Sequence, residues 1–534
     1  PVGDEASLST GPQRQFYDAA KAFGAAPRIT LSKSDPLTPV QRARLAALIR
    51  RYTARTKASK HFTEANRSQM ADPRVATGFR PLVKELVYPL VMQRSVGSRM
   101  WDLDGNEYID VLSGFGSNLL GWSSPVVVAE VKKQLDLGFD VGPQHPLTAE
   151  VAALVREITG AERVAFCNTG SEAVLGAIRI ARTVTGRNTI VIFSGSYHGI
   201  NDEVIVRARK NHEAVPAAPG IMPSTAENVL VLDYGTPESL EIIKSRAQDI
   251  AAVVVEPVQS RRPDFQPKEF LQELRAITQQ AEILYIWDEI VTGFRAAPGG
   301  AQEYFGVRAD LATYGKIMGG GLPIGVIAGK REFMDALDGG HWQYGDDSVP
   351  EVGVTYFAGT FVRHPLALAA AKATLLHLKA EGPALQRGLN EKTARFVADL
   401  NATFRALGAP LEIRYFSSIW KTFFTGEHAN GDLLFYMLRD RGIHIYDGFP
   451  CFMTVSHSDA DLAQVITAFK ESVVELQEGG FLAGGAQANH SSGVSAAATP
   501  PVPGARLGRD PNGSPAWFLP STARPGTFVK VGTE

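Results

Sequence analysis

Only two cysteines occur among 534 residues, Cys167 and Cys451, so no disulfide framework is possible. A cytoplasmic, reducing setting is the expectation. An excess of either charge is also missing. Lys and Arg number 54 against 56 Asp and Glu, a net charge of -2, which excludes a general nucleic-acid binder. No apolar run approaches the length that spans a membrane, and no signal-peptide pattern opens the chain. Neither nucleic acid nor membrane is therefore expected as a partner. No internal repeat is visible, and no metal is expected.

What is present is ordinary for a globular chain, with 44% hydrophobic and 21% charged residues. The length allows two or three domains. The chain starts at Pro1 rather than Met, the expectation for a piece cut from something longer. Residues 1–60 read as a linker or docking segment. Within it Thr38-Pro39 resembles a helix start, and Leu45, Leu48 and Ile49 recur at helical spacing among many arginines. Such an arginine-rich helix is expected to present a solvated face. Residues 101–110 read as strand, Asp-Gly turn, strand. Beyond Gly121 helices alternate with short β-type runs, among them residues 163–166, 189–193, 251–255 and 283–287. That alternation predicts an α/β fold with a mostly parallel sheet. The expected division is residues 61–120 as the N-terminal part of a small domain, 121–363 as the large domain and 364–478 as the rest of the small one. Residues 479–534, crowded at first with Gly, Ala, Ser and Pro, read as linker and tail.

The central stretch is residues 281–325. One apolar run ends on Asp288, and a second, residues 310–314, ends on Gly315-Lys316 ahead of Gly319-Gly320-Gly321. Parallel strands bring such ends to one sheet edge, where ligands of open α/β sheets bind. A lone lysine or aspartate at a strand end is usually a solvated charge or a helix cap. Together they are the minimum equipment of a pyridoxal phosphate enzyme, a Schiff-base lysine beside a carboxylate that pairs with the pyridinium nitrogen. Further motifs sit at other strand ends. Asn168-Thr169-Gly170-Ser171-Glu172 joins a strand to a helix, the arrangement of a phosphate site. Tyr197 and His198, in Ser194-Gly195-Ser196-Tyr197-His198-Gly199, offer an aromatic face and a polar neighbour. Glu256-Pro257-Val258-Gln259 places a carboxylate and an amide beside Arg261 and Arg262. Phe357-Ala358-Gly359-Thr360-Phe361 offers a second phosphate contact before a helix.

In this order the motifs resemble the class III (subgroup II) pyridoxal-phosphate aminotransferases, and the run from Asp288 to Gly325 resembles the glutamate-1-semialdehyde aminomutases in particular. The likeness covers about residues 61–478. It implies the fold-type I architecture and a homodimer with sites at the subunit interface. It implies pyridoxal 5'-phosphate held by Lys316, which also shuttles the proton, with Asp288 on the pyridine nitrogen. Gly170 and Ser171 would hold the phosphate, Tyr197 and Val291 would pack on the two ring faces, and Thr360 would reach the partner's phosphate. His198 and Glu256 would complete the cofactor site, and Arg80 matches the mutase position for a substrate carboxylate. Two departures, Gln259 to Asp264 and Arg363-His364, look like the aminotransferase domains embedded in hybrid polyketide/non-ribosomal peptide synthases. Those domains aminate a β-ketoacyl chain held on a carrier protein.

The reading that follows is a transaminase that takes an amino group from glutamine or glutamate and places it on the β-ketone of a carrier-bound acyl thioester. Neighbouring synthase domains are then expected partners, with Gln259, Arg261 and Arg262 among the substrate contacts. A free-standing aminomutase would turn over on one substrate alone. A non-catalytic cofactor-binding module would have no reason to keep Lys316 and Asp288.

Overall fold

The computed structural model describes residues 37–76, 79–208 and 214–483, with three strands of the tail. The expected linkers at 1–36 and 484–505, and Gly78 next to Arg80, lie outside the described residues.

Seven strands build the main sheet: β1 Arg163–Cys167, β2 Thr189–Phe193, β3 Val229–Leu232, β4 Ile250–Val255, β5 Leu284–Asp288, β6 Leu311–Tyr314 and β7 Gly325–Gly329. Their spatial order is β1-β7-β6-β5-β4-β2-β3. All run parallel except β7, which is antiparallel to both β6 and β1. The strands from β2 to β7 are buried along their whole length. That is why they read as continuous apolar runs rather than alternating ones. Helix Gly170–Thr185 follows β1, and Lys268–Gln280 follows β4. Pro365–Glu381 packs on Pro125–Leu137 and Leu147–Thr159. Its alanines, Ala367, Ala369, Ala370, Ala371 and Ala373, are buried, and such small side chains allow close helix approach.

Two smaller sheets flank the main one in sequence, the first drawing on early and late segments. Met92–Val96, Arg99–Asp102 and Glu107–Asp110 form an antiparallel meander, and Ile443–His444 adds to its last strand in parallel. Leu411–Phe416, Ile419–Phe424 and Cys451–Phe452 make the other. The helix Pro39–Arg55 presents the expected solvated face, with Arg42, Arg44, Arg50 and Arg51 exposed, and buries its apolar side. Leu45, Leu48 and Tyr52 are buried, and Arg51 bonds Asp440 and Glu475. The acids that match its arginines lie on helices Leu433–Asp440 and Asp459–Glu478, some 400 residues away, where local sequence gives no hint of them.

The tail forms its own unit, Ala483–Glu534. Its strands Arg506–Arg509, Pro515–Pro520 and Phe528–Lys530 pair as an antiparallel sheet, with Trp517 opposite Leu507 and Phe518 opposite Lys530. Among the described residues no helix is long and apolar enough to cross a membrane.

Candidate active site

Strand register brings Asp288 and the end of β6 side by side. Asp288 lies opposite Thr313 in the β5–β6 ladder, and Lys316 starts the short helical turn Lys316–Gly319 just beyond β6. The carboxylate of Asp288 is buried and accepts three hydrogen bonds. They come from His198 Nδ1 (2.8 Å), the Ile290 backbone N–H (3.1 Å) and Thr313 Oγ1 (3.4 Å). No arginine or lysine forms an ion pair with it among the described residues. Lys316 lies mostly below the surface. Burial lowers its pKa from the ordinary lysine value, Asp288 and Glu256 oppose that shift, and Arg295 adds to it. An amine that sheds its proton easily is the form that can act as a nucleophile or base.

The ends of β1, β2 and β4 complete the edge. Thr169 caps the helix Gly170–Thr185, its Oγ1 accepting the Glu172 N–H at 3.2 Å. This leaves the N–H groups of Gly170 and Ser171 at the positive end of the helix dipole. Close approach is built in here. A Cβ on Gly325 of β7 would stand 2.2 Å from the Thr169 carbonyl oxygen. The loop after β2 leans on the same helix start. The Ile200 N–H donates to Ser171 Oγ (3.2 Å), and Asn201 Nδ2 donates to the Ser171 carbonyl (2.7 Å). Tyr197 remains 42% exposed, so a ring face is open to a ligand. Below it Glu256 accepts the N–H groups of Tyr197 (3.2 Å) and Ser260 (2.8 Å), while burial raises its carboxyl above the usual range. Gln259 donates through Nε2 to the Ser194 carbonyl at 2.9 Å.

Val291 is buried in the turn after Asp288. Thr360 is exposed, one residue beyond Gly359, whose Cβ would lie 3.5 Å from Asn168 Nδ2. Arg80 bonds Asp432, with Nη2 at 2.7 Å from both carboxylate oxygens. Arg363 donates to Gln144 at 2.7 Å, and His364 caps the helix Pro365–Glu381 while its ring stacks on Phe139. Asp264 pairs with Arg414 at 3.4 Å, leaving Arg261 and Arg262 without an acidic partner among the described residues. The Arg261 guanidinium instead lies 5.9 Å from the Tyr197 ring centre, and that of Arg262 lies 4.7 Å from Phe265.

Arg295 is a residue the motif reading passed over. It is fully buried and has no acidic partner among the described residues. Its guanidinium donates to the carbonyls of Val291 and Gly116 and to Ser418 Oγ, and it lies 4.8 Å from the Phe452 ring. Burial lowers its pKa to about 9. One side chain thus ties the turn beyond Asp288 to the helical turn at Gly116, the hairpin turn at Ser418 and the strand Cys451–Phe452. An arginine inside the apolar run Gly293-Phe294-Arg295-Ala296 is the signal that could have found it.

This is the architecture of fold-type I pyridoxal-phosphate-dependent enzymes. The residues present fit that cofactor. Asp288 is a buried carboxylate that lacks a full cationic partner, as a site for a protonated pyridine nitrogen requires. His198 Nε2 and Gln259 Oε1 are buried polar atoms with no protein partner. Comparison narrows the class. Residues 83–471 match the family Aminotransferase class-III, and the chain belongs to that family. It is 35% identical over 407 residues to a glutamate-1-semialdehyde 2,1-aminomutase of Persephonella marina, covering 73% of this chain and 92% of that one. Among solved structures, a β-phenylalanine aminotransferase from Variovorax paradoxus superposes with a TM-score of 0.70 at 27% identity, covering 83% of this chain and 99% of that one. An omega-transaminase from Sphaerobacter thermophilus gives a TM-score of 0.70 at 25% identity, over 79% and 98% of the two chains. The protein is a pyridoxal-phosphate-dependent enzyme of the aminotransferase and aminomutase kind.

Proposed function

We propose that this enzyme moves an amino group from glutamine or glutamate to the β-ketone of an acyl chain held on a carrier protein, as part of a polyketide or non-ribosomal peptide assembly in the cytoplasm. The observation that carries this reading is the pair Arg261 and Arg262, cationic and without acidic partners among the described residues, with Arg261 beside Tyr197 and Arg262 beside Phe265. Guanidinium groups at a site mouth suit the phosphodiester of a phosphopantetheine arm. The β-phenylalanine aminotransferase adds support, because its named substrate carries the amine β to the carboxylate.

In this reading residues 121–363 hold the cofactor, and residues 61–120 with 364–478 form the smaller half. Pyridoxal phosphate would supply an electron-accepting ring that stabilises charge left on the substrate carbon. Lys316 would hold the group through its amine and carry the proton on and off the substrate carbon. Asp288, oriented by His198 and Thr313, would keep positive charge at the ring nitrogen. Gly170 and Ser171 would bind the phosphate through backbone N–H groups, Tyr197 and Val291 would enclose the ring, and Glu256 would fix the Tyr197 loop.

The decisive assay supplies glutamate or glutamine with defined β-ketoacyl chains on a carrier domain. The carrier-bound chain is expected to have a higher kcat/KM than the free β-keto acid. Changing Arg261 and Arg262 to Ala is expected to weaken use of the carrier-bound chain and spare the half-reaction with the free donor. Equal losses in both half-reactions would place these arginines in the core of the site, and no loss in either would make them bystanders. The 35% identity to an aminomutase supports a second reading, an isomerase that needs no outside donor. Turnover on a single amino aldehyde, with no donor added, would establish it.

Each site is also expected to draw on a second copy of the chain through Thr360. The segment around it exposes Tyr344, Val354, Tyr356 and Phe361, an apolar stretch that a partner subunit would cover. Mixed Lys316→Ala and Thr360→Ala chains should then form heterodimers with one site free of both changes. Their activity should exceed that of either parent, and no recovery despite proven subunit exchange would rule against a shared site.

A further inference from the structure

Arg80 is the residue expected to meet a substrate carboxylate, yet its charge is already matched by Asp432, and its Nη1 donates to the Ala429 carbonyl at 2.8 Å. A cation so paired has little attraction left for a second anion. Two other cations, the first of them beside the Tyr197 ring, have no such match among the described residues. One is Arg261. The other is Lys421, on the strand Ile419–Phe424 of a smaller sheet, which reaches across to it. Lys421 Nζ donates to the Arg261 carbonyl at 3.5 Å, and no carboxylate lies within ion-pair distance of it among the described residues. The groups that face Lys421 are Arg261, Asp447 and Cys451. Burial and the Arg261 charge lower its pKa from the ordinary lysine value, against the pull of Asp447 and Cys451. A half-buried lysine on a strand and an exposed arginine in the loop after β4, neither in an ion pair among the described residues, form an arrangement that an incoming anion stabilises.

We propose that Lys421 and Arg261 form an oxyanion subsite at the mouth of the active site, for a substrate's carboxylate or phosphodiester. The inference rests on the transaminase reading and adds the group that the mouth recognises. The donor's carboxylate and the tether's phosphodiester are the two sources of that chemistry, and the experiment separates them.

Holoenzyme carrying Lys421→Met is compared with Lys421→Arg and with wild type. Three substrates are used: glutamate, isopropylamine (which has no carboxylate) and a carrier-bound β-ketoacyl chain. Loss of one charged hydrogen-bond donor predicts a fall in kcat/KM of about tenfold or more, expressed in KM. A fall with glutamate but not isopropylamine assigns the subsite to the donor's carboxylate. A fall confined to the carrier-bound chain assigns it to the phosphodiester. In either case Lys421→Arg should restore much of the loss. As a second readout, glutarate is titrated against the visible absorbance of the bound cofactor. Weaker glutarate binding in Lys421→Met accompanies the carboxylate assignment, and unchanged binding accompanies the phosphodiester assignment. Unchanged kinetics with all three substrates overturn the proposal. So do equal losses with all three that Lys421→Arg does not rescue, since these would mark a structural lysine. If wild type fails on every carrier-bound chain while the glutamate dependence on Lys421 persists, the acceptor reading fails and the subsite stands.

Discussion

Lys316→Ala is expected to remove essentially all turnover, a loss of about 10³-fold or more. It should also abolish the cofactor that borohydride otherwise traps on the protein. The expectation rests on position and electrostatics together. Lys316 opens the turn beyond β6, next to Asp288 at the end of β5, and burial brings its amine closer to the neutral form. Cofactor trapped on a different lysine in the variant, located by peptide mapping, would overturn the assignment.

Asp288→Asn comes next in expected size. The substitution keeps the shape and some of the hydrogen bonding of a side chain that is only 4% exposed, so the fold should hold. It removes the negative charge that would face the ring nitrogen. Taking a preorganised charge from a buried reacting centre costs about 10²-fold or more. The loss should appear in the half-reaction with the amino donor, followed by single-turnover absorbance of the bound cofactor. A rate near wild type would mean that Asp288 serves the fold and not the chemistry. The bond from His198 Nδ1 at 2.8 Å gives a graded companion, since His198→Gln should lower the same rate by less.

Why some of the site could be read from sequence and some could not follows from how each residue is held. Asp288, Lys316, Gly170 and Tyr197 sit where a buried strand meets a turn, so apolar run and punctuation occur together within a few residues. The parallel sheet then brings those ends to one edge by geometry alone. Strand β7 escapes this logic. Its sequence, Gly325-Val326-Ile327-Ala328-Gly329, is short and bounded by glycines, and it runs against the alternation that announces its neighbours. The glycine that weakens the strand signal is needed because Thr169 passes so close. Thr313 becomes a ligand of Asp288 only through ladder register. Pairings made across the chain have no local signature at all. Arg80 finds Asp432 at a separation of 352 residues, and Lys421 finds Arg261 at 160. The same distance hides the acidic partners of Arg51 on its solvated helix face.

The seam between the two ends of the main unit bears on how the protein is made. The meander strand Glu107–Asp110 gains its second neighbour from Ile443–His444, and the helix Pro39–Arg55 is held by acids at 440 and 475. A ribosome working from the N-terminus releases Leu45, Leu48 and Tyr52 long before the segments that cover them exist. Until then the early segments wait with apolar surface and an unpaired strand edge open to solvent, the condition under which nascent chains aggregate or recruit chaperones. The sheet that carries Asp288 and Lys316 lies wholly between these ends, and it can close first.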